Sequence, residues 1–278
     1  MDNTTVWRLS FFLGIFVLMA LLESVLPARG APLRRAIRWR GNIGLVIIGA
    51  LVSRFALPMT LVGVALWAQK VNLGGFNVFS LPLWLSITLS VLALDLAIYW
   101  QHRIFHTIPL LWRLHQVHHI DSHVDTTTGL RFHPLEILIS LGVKAAVVLL
   151  FGVPPEAIVI FEIGLNGFAV FNHANIRLPQ KWDDILSHVL ITQRVHRIHH
   201  SQRIAESNSN FGFSVSWWDK LFGSFKGRAE KQDDQLAIGQ ANFPPTPENA
   251  GVFKLLVMPF CQAPVVKKTD VPANQDRQ

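Results

Sequence analysis

A series of apolar runs long enough to cross a bilayer most constrains what this chain can fold into. A helix rises 1.5 Å per residue, so a span takes roughly 20 apolar residues. Val6–Leu26 supplies one run and Leu81–Trp100 another. Ile43–Trp67 supplies a third, interrupted by Arg54 and Pro58. Proline lacks the amide donor and crowds the preceding turn, so a kink or break is predicted there. Leu135–Phe151 and Ala157–Phe171 form a shorter apolar pair joined at GVPPE, a turn sequence. They read as a partly inserted hairpin or two tilted helices. The expected fold is all-α, a multi-pass membrane helical bundle. Composition agrees: 50% of the 278 residues are hydrophobic and only 15% are charged, against about a quarter charged in a typical soluble domain.

The first run is too long for the apolar core of a signal peptide and has no basic segment before it, so it reads as a retained transmembrane helix. The single cysteine, Cys261, excludes an internal disulfide framework and any cysteine-built metal site. A net charge of +7 raises nucleic acid as a partner. However, Arg29, Arg34, Arg35, Arg38 and Arg40 crowd between two apolar runs, the pattern of a cytoplasmic loop. That favours a membrane protein with no nucleic-acid partner. With residues 27–42 cytoplasmic, Leu81–Trp100 returns to the cytoplasm, and the histidines and C-terminus are expected there. Three regions are expected: N-terminal spans over residues 1–100, a histidine-rich region with the inserted apolar pair over 101–227, and a cytoplasmic tail over 228–278. The stretches QDDQLAIGQ, PPTPEN and PANQDRQ read as partly disordered. GVFKLLVMPF reads as a short helix lying on the membrane or on the main domain.

All 12 histidines lie between His102 and His200. HRIFH places His102 and His106 four apart, and HQVHH places His115, His118 and His119 at offsets 0, 3 and 4. HRIHH repeats that spacing with His196, His199 and His200. Residues three and four apart share a helix face, so each group aims imidazoles at one region. Imidazole suits zinc, copper, iron and nickel. One zinc ion takes about four ligands, so the eight histidines of these groups point to a dinuclear centre between helices. No glutamate follows either leading histidine, which excludes the zinc-peptidase pattern. His123 and His188 read as ordinary core or surface residues.

Two polar stripes lie on the flanking helices. Asp95, Tyr99, His102 and His106 are spaced 4, 3 and 4, and Glu162, Asn166 and His173 stand at offsets 0, 4 and 11. Ionisable residues in such segments are costly and normally face the bundle interior. Both stripes are expected to line the site. His173 reads as a ligand and Asp95 as a carboxylate that accepts the second N–H of a ligand imidazole. For Asp95 and Glu162 the other reading is a structural hydrogen bond between helices. His133, in RFHPLE, reads as a ligand, a residue orienting one, or a helix start.

HRIFH, LWRLHQVHH, RFHPLE, FNHANIRLP, HRIHHS and WWDKLFGSF, in this order from about Asp95 to Phe225, resemble the fatty acid hydroxylase superfamily, which includes sterol desaturases and C-4 methylsterol oxidases. The resemblance implies a helical membrane fold with a cytosolic histidine-rich cap. It implies a non-haem centre of two iron ions that uses O2 as co-substrate to hydroxylate or desaturate an unactivated C–H bond of a sterol-like or fatty acyl lipid. By position, His102, His106, His115, His118, His119, His196, His199 and His200 match the family's histidine boxes. His173 matches the extra histidine between the last two. Where some relatives carry a further histidine, Arg177 stands here. Side chains cannot supply an oxidant for an alkyl C–H bond, so the metal carries that chemistry. Trp100, Trp112, Trp182, Trp217 and Trp218 suit the membrane interface or ordinary packing.

No haem segment, CxxC set or GxGxxG is present, so a separate electron donor is implied, a ferredoxin or cytochrome with its reductase. Arg194, Arg197, Arg203, Lys220, Lys226 and Arg228 are candidates for docking an acidic carrier. The rival reading is a membrane protein that binds or transports transition metals without catalysis. It calls for ligands spread through the bilayer depth, whereas these histidines follow the spans and gather on one side.

Overall fold

A computed structural model describes residues 3–79 and 81–261. The first apolar run is α1 (Asn3–Val25) and the second is α2 (Arg35–Ala56) followed by α3 (Leu61–Lys70). The predicted break falls between them at Leu57–Thr60, around Pro58, and the Thr60 side chain accepts from Gly63 N to start the new helix. A single turn, α4 (Gly75–Val78), precedes α5 (Leu83–Thr107). α5 runs unbroken from the apolar span into the first histidines, so the expected boundary at residue 100 lies within one helix. Pro109 starts α6 (Pro109–His119) at its first position, where no amide donor is needed.

The shorter apolar pair forms α7 (Pro134–Phe151) and α8 (Pro155–His173), joined by a tight turn at Gly152, which is left-handed at φ 69. Gly74, at φ 98, meets that turn so closely that a Cβ on it would lie 2.2 Å from Gly152 N. Short helices follow: α9 (Gln180–Leu186), α10 (Gln193–His199), α11 (Ile204–Ser207), α12 (Trp217–Leu221) and α13 (Val252–Val257). The described residues contain only isolated β-bridges and no strand. Val6–Val25, Arg35–Val78, Leu83–Thr107 and Pro134–Phe151 are long and apolar enough to cross a membrane. Their outward faces are apolar: Leu21, Phe55, Trp84 and Leu150 are among the exposed side chains.

The core of the spanning bundle joins α3, α5, α7 and α8 through Leu61, Ala65, Leu94, Ile98, Val148, Ile158 and Phe161. The end of α1 meets the end of α8, where Ala28 N donates to Asn175 O. The arginine-rich loop therefore lies on the histidine side. Arg38 is buried there and holds both Asp121, at 2.7 and 2.8 Å, and Asp125, at 2.5 Å. Arg35 pairs with Glu23, and Arg29 donates to the carbonyls of Asp233 and Leu236.

The expected disorder after residue 228 is corrected for QDDQLAIGQ. Leu236 and Ile238 are buried against Val124, and Arg197 grips Asp233 at 2.7 and 2.8 Å. Two apolar residues and one ion pair anchor a stretch whose average composition is polar. GVFKLLVMPF forms α13 and a following 3-10 turn that dock on the main domain: Leu255 and Met258 pack on Leu45, Val117 and Ile120. PANQDRQ lies outside the described residues.

Candidate metal centre

Four helices deliver the histidines. α5 carries His102 and His106, α6 carries His115, His118 and His119, α8 ends on His173, and α10 carries His196 and His199 with His200 as its cap. These nine imidazoles form two adjacent sets. His102, His106, His115, His119 and His199 make one; His118, His173, His196 and His200 make the other. Within each set one ring nitrogen per residue lies within 4.8 Å of all the others. Neither HxxHH group stays together. His115 and His119, one turn apart, face the first set, while His118 faces the second, and HRIHH divides likewise. The sets touch through the stacked rings of His119 and His200, with centroids 4.5 Å apart.

The surroundings orient the rings. Nδ1–H of His102 donates to Phe211 O at 2.7 Å, that of His199 to Ser209 O at 2.7 Å, and that of His173 to Ala169 O at 2.6 Å. A carbonyl only accepts, so each of these rings carries its proton on Nδ1 and turns the Nε2 lone pair inward. His115 Nδ1 donates to the Glu136 carboxylate at 2.7 Å. His102 and His115 then face each other Nε2 to Nε2 at 3.0 Å, as do His173 and His196 at 2.8 Å. With its proton on Nδ1, His102 turns an unprotonated Nε2 toward His115, a donor atom for a cation held between the rings. His199 Nε2, His106 Nε2 and both nitrogens of His119 are buried without a hydrogen-bond partner. Burial first, and then the neighbouring imidazoles, push His115, His118, His119, His196 and His200 well below the ordinary 6.5, and burial does the same for His199. They are neutral at physiological pH, the state a metal needs. Donor type, count and inward aim all fit two ions.

The remaining candidate residues contact other groups. Asp95 accepts from Trp218 Nε1 at 2.7 Å rather than from an imidazole. It stands seven residues before His102, about 10 Å along the helix, and so shares a face with the ligands but not a depth. Glu162 pairs with Arg8 of α1 and touches no histidine, for the same reason. Asn166 donates to Glu162 O at 2.8 Å and lines the cavity described below. His133 serves as a helix start: it caps α7, its Nδ1 accepting from Leu135 N at 3.2 Å. Arg194, Arg197 and Arg203, candidates for docking an acidic carrier, pair with Asp183, Asp233 and Glu230, the last pair on the surface. Arg177 donates to Ala28 O.

Sequence reasoning missed Glu136, in the first turn of α7 within RFHPLE, and Phe132, whose ring stacks on His118 at 4.6 Å. It also missed Asp219 of WWDKLF, whose two oxygens accept from Phe211 N and Gly212 N at 2.8 Å and so hold the segment that orients His102. The quoted motifs contained all three residues, but nothing in the spacing says which carbonyl or ring each meets.

A cavity of about 400 Å³ lies within the bundle and reaches the first histidine set at His102 and His115. Phe105, Phe132 and Phe213 wall its histidine end, and residues of α1, α2, α7 and α8 wall the rest. It is mostly apolar and of a size usual for ligand sites.

The comparisons agree with this architecture. The fatty acid hydroxylase family model matches residues 87–224. The ornithine lipid hydroxylase OlsE of Rhizobium tropici is 25% identical over 245 residues, covering 85% of this chain and 72% of its own length. Human alkylglycerol monooxygenase is 26% identical over 235 residues, covering 80% of this chain and 47% of its own. The zebrafish (Danio rerio) alkylglycerol monooxygenase is 30% identical over 151 residues, 51% of this chain and 31% of its own. The chain thus spans half or less of the length of these monooxygenases. No solved structure matches it. These relatives are oxidative lipid-modifying enzymes, and the histidine motifs, the helical bundle and the family match converge on one assignment: this chain belongs to the fatty acid hydroxylase superfamily.

Proposed function

We propose that the chain is an O2-dependent lipid hydroxylase that works with two non-haem irons, one in each histidine set. The observation that carries this reading is the adjacency of two neutral, inward-facing imidazole sets to an apolar cavity inside the spanning bundle. His102, His106, His115, His119 and His199 would hold one ion, and His118, His173, His196 and His200 the other. Two irons supply the oxidising equivalents from O2 that no side chain carries. The protein's part is to position and exclude. Glu136 keeps the proton of His115 on Nδ1, and the carbonyls of Phe211, Ser209 and Ala169 do the same for His102, His199 and His173. Phe105, Phe132 and Phe213 keep water from the reacting carbon. Hydroxylation and desaturation share the first hydrogen abstraction; the named activities of the relatives favour hydroxylation.

The reading takes the histidine side as cytoplasmic, because the basic loop around Arg34 and Arg40 lies on it. It takes electrons from a separate ferredoxin or cytochrome. The test is metal content and Mössbauer spectroscopy on protein purified anaerobically from iron-57 cells. Two coupled irons per chain are expected. One ion or none under iron-replete conditions would overturn the reading. His118→Ala and His199→Ala should each lose metal from a different set.

A further inference from the structure

The cavity holds a charge that the histidine centre does not use. Glu136, Ser140 and Lys144 stand four residues apart on α7 and all line it. Glu136 marks the histidine end, through His115. Lys144 therefore lies about 12 Å further along the helix axis. It is 9% exposed, in the middle of a segment long and apolar enough to span a membrane. Among the described residues it makes no hydrogen bond or ion pair. The charges that act on it are Glu162 and Arg8, and Glu162 is already paired with Arg8. Two cations and one carboxylate leave this group with one uncompensated positive charge, and the other carboxylate on the cavity, Glu136, stands about 12 Å along the helix and is engaged with His115.

A buried cation without a partner is costly, and in a membrane span such residues normally serve a function. The rest of the cavity offers the ammonium apolar walls, with Ser53, Gln101, Ser140 and Asn166 as neutral polar neighbours. None of these can neutralise it. A ligand bearing one negative charge can.

We propose that Lys144 is a specificity-determining residue: its ammonium receives the single anionic group, carboxylate or phosphate, of a lipid whose apolar body runs along α7 to the histidine end. This rests on the lipid-oxidising reading above and deepens it. It fixes the polarity of the substrate in the cavity, anionic group at Lys144 and apolar carbon at His102 and His115.

The test measures binding, separately from turnover. Full-length holoprotein in detergent is titrated with radiolabelled oleate, 1-oleoyl lysophosphatidate and oleyl alcohol, read by scintillation proximity. Wild type should prefer at least one anionic probe over the alcohol by roughly tenfold or more, as expected of a charge-assisted contact. The stronger of the two anionic probes identifies carboxylate or phosphate as the natural group. Lys144→Met should lose that preference while keeping alcohol binding, metal content and an undiminished melting temperature; Lys144→Gln is the second variant should Lys144→Met fail to fold. Lys144→Arg should keep the preference. Equal affinity for all three probes in wild type, or an unchanged preference in Lys144→Met and Lys144→Gln, would overturn the proposal. A wild-type chain that prefers the anion yet holds no iron leaves the subsite standing and sinks the oxidase reading instead.

Discussion

Asn210 stands in the left-handed region at φ 54 and is fully buried. Its side-chain amide donates to Val195 O at 3.0 Å and Lys226 O at 2.9 Å. The residues on either side, Ser209 and Phe211, send their carbonyls to His199 and His102. The turn at one asparagine thus aims the two carbonyls that flank it at two histidines of the same set. Asparagine tolerates this conformation because its short polar side chain bonds locally, whereas a β-branched residue does not. Asn210→Val should lower metal occupancy of the five-histidine set and destabilise the protein. Asn210→Gly should retain the backbone turn and most of the metal, as read by metal analysis and thermal melting. Glu136→Gln keeps a polar group beside His115 but removes the carboxylate, and partners of this kind are worth about 10- to 100-fold in metal affinity. Metal titration of that variant should show one weakened site and one unchanged. Gly129 is constrained differently: a Cβ there would lie 2.5 Å from Ala169 O, the acceptor that holds His173. The histidines were legible at this scale because their spacing is a local property. Their acceptors were not, because each comes from elsewhere in the chain or from a backbone carbonyl that spacing does not reveal.

At the scale of elements, one buried ion pair ties α2 to the segment between α6 and α7. Arg38 and Asp121 are each 1% exposed, and Thr128 also donates to Asp121 at 2.8 Å. Removing one partner leaves buried charge unmatched, so Arg38→Ala should cost about 3 to 5 kcal/mol in unfolding experiments in detergent. Burial alone would raise the Asp121 carboxyl, but the Arg38 and Arg131 guanidiniums outweigh it and hold it well below the usual carboxylate range. A depressed folded-state value contributes stability above the unfolded 3.8 that is lost as pH falls below it. Wild type should lose stability on acidification through that range, and Asp121→Asn should be less stable at neutral pH with a flatter acid limb. The helices themselves were legible from apolar length, and the break at Pro58 from proline's missing donor. The ordered stretch at Leu236 and Ile238 was not, because two buried side chains decide what a window average of composition hides.

At the scale of the whole molecule, the apolar spans, the basic loop and the histidines sort into a membrane bundle with its imidazoles gathered at one end. A reporter fused after Gln278 should read as cytoplasmic in a paired-reporter assay, and a signal from the opposite side would reverse the topology. Fold class and the clustered histidines are readable along the chain, because apolar length and a spacing of three or four residues act within a single helix. How those histidines divide follows from the packing of the helices. Successive imidazoles on α6 and α10 diverge by the helical twist, and four helices meeting at set angles turn three short motifs into two separate sets. The same geometry gave Asp95 to Trp218 and Glu162 to Arg8, and left Lys144 facing the cavity, because depth along a helix and rotation against its neighbours are properties of the assembled bundle rather than of any stretch of sequence.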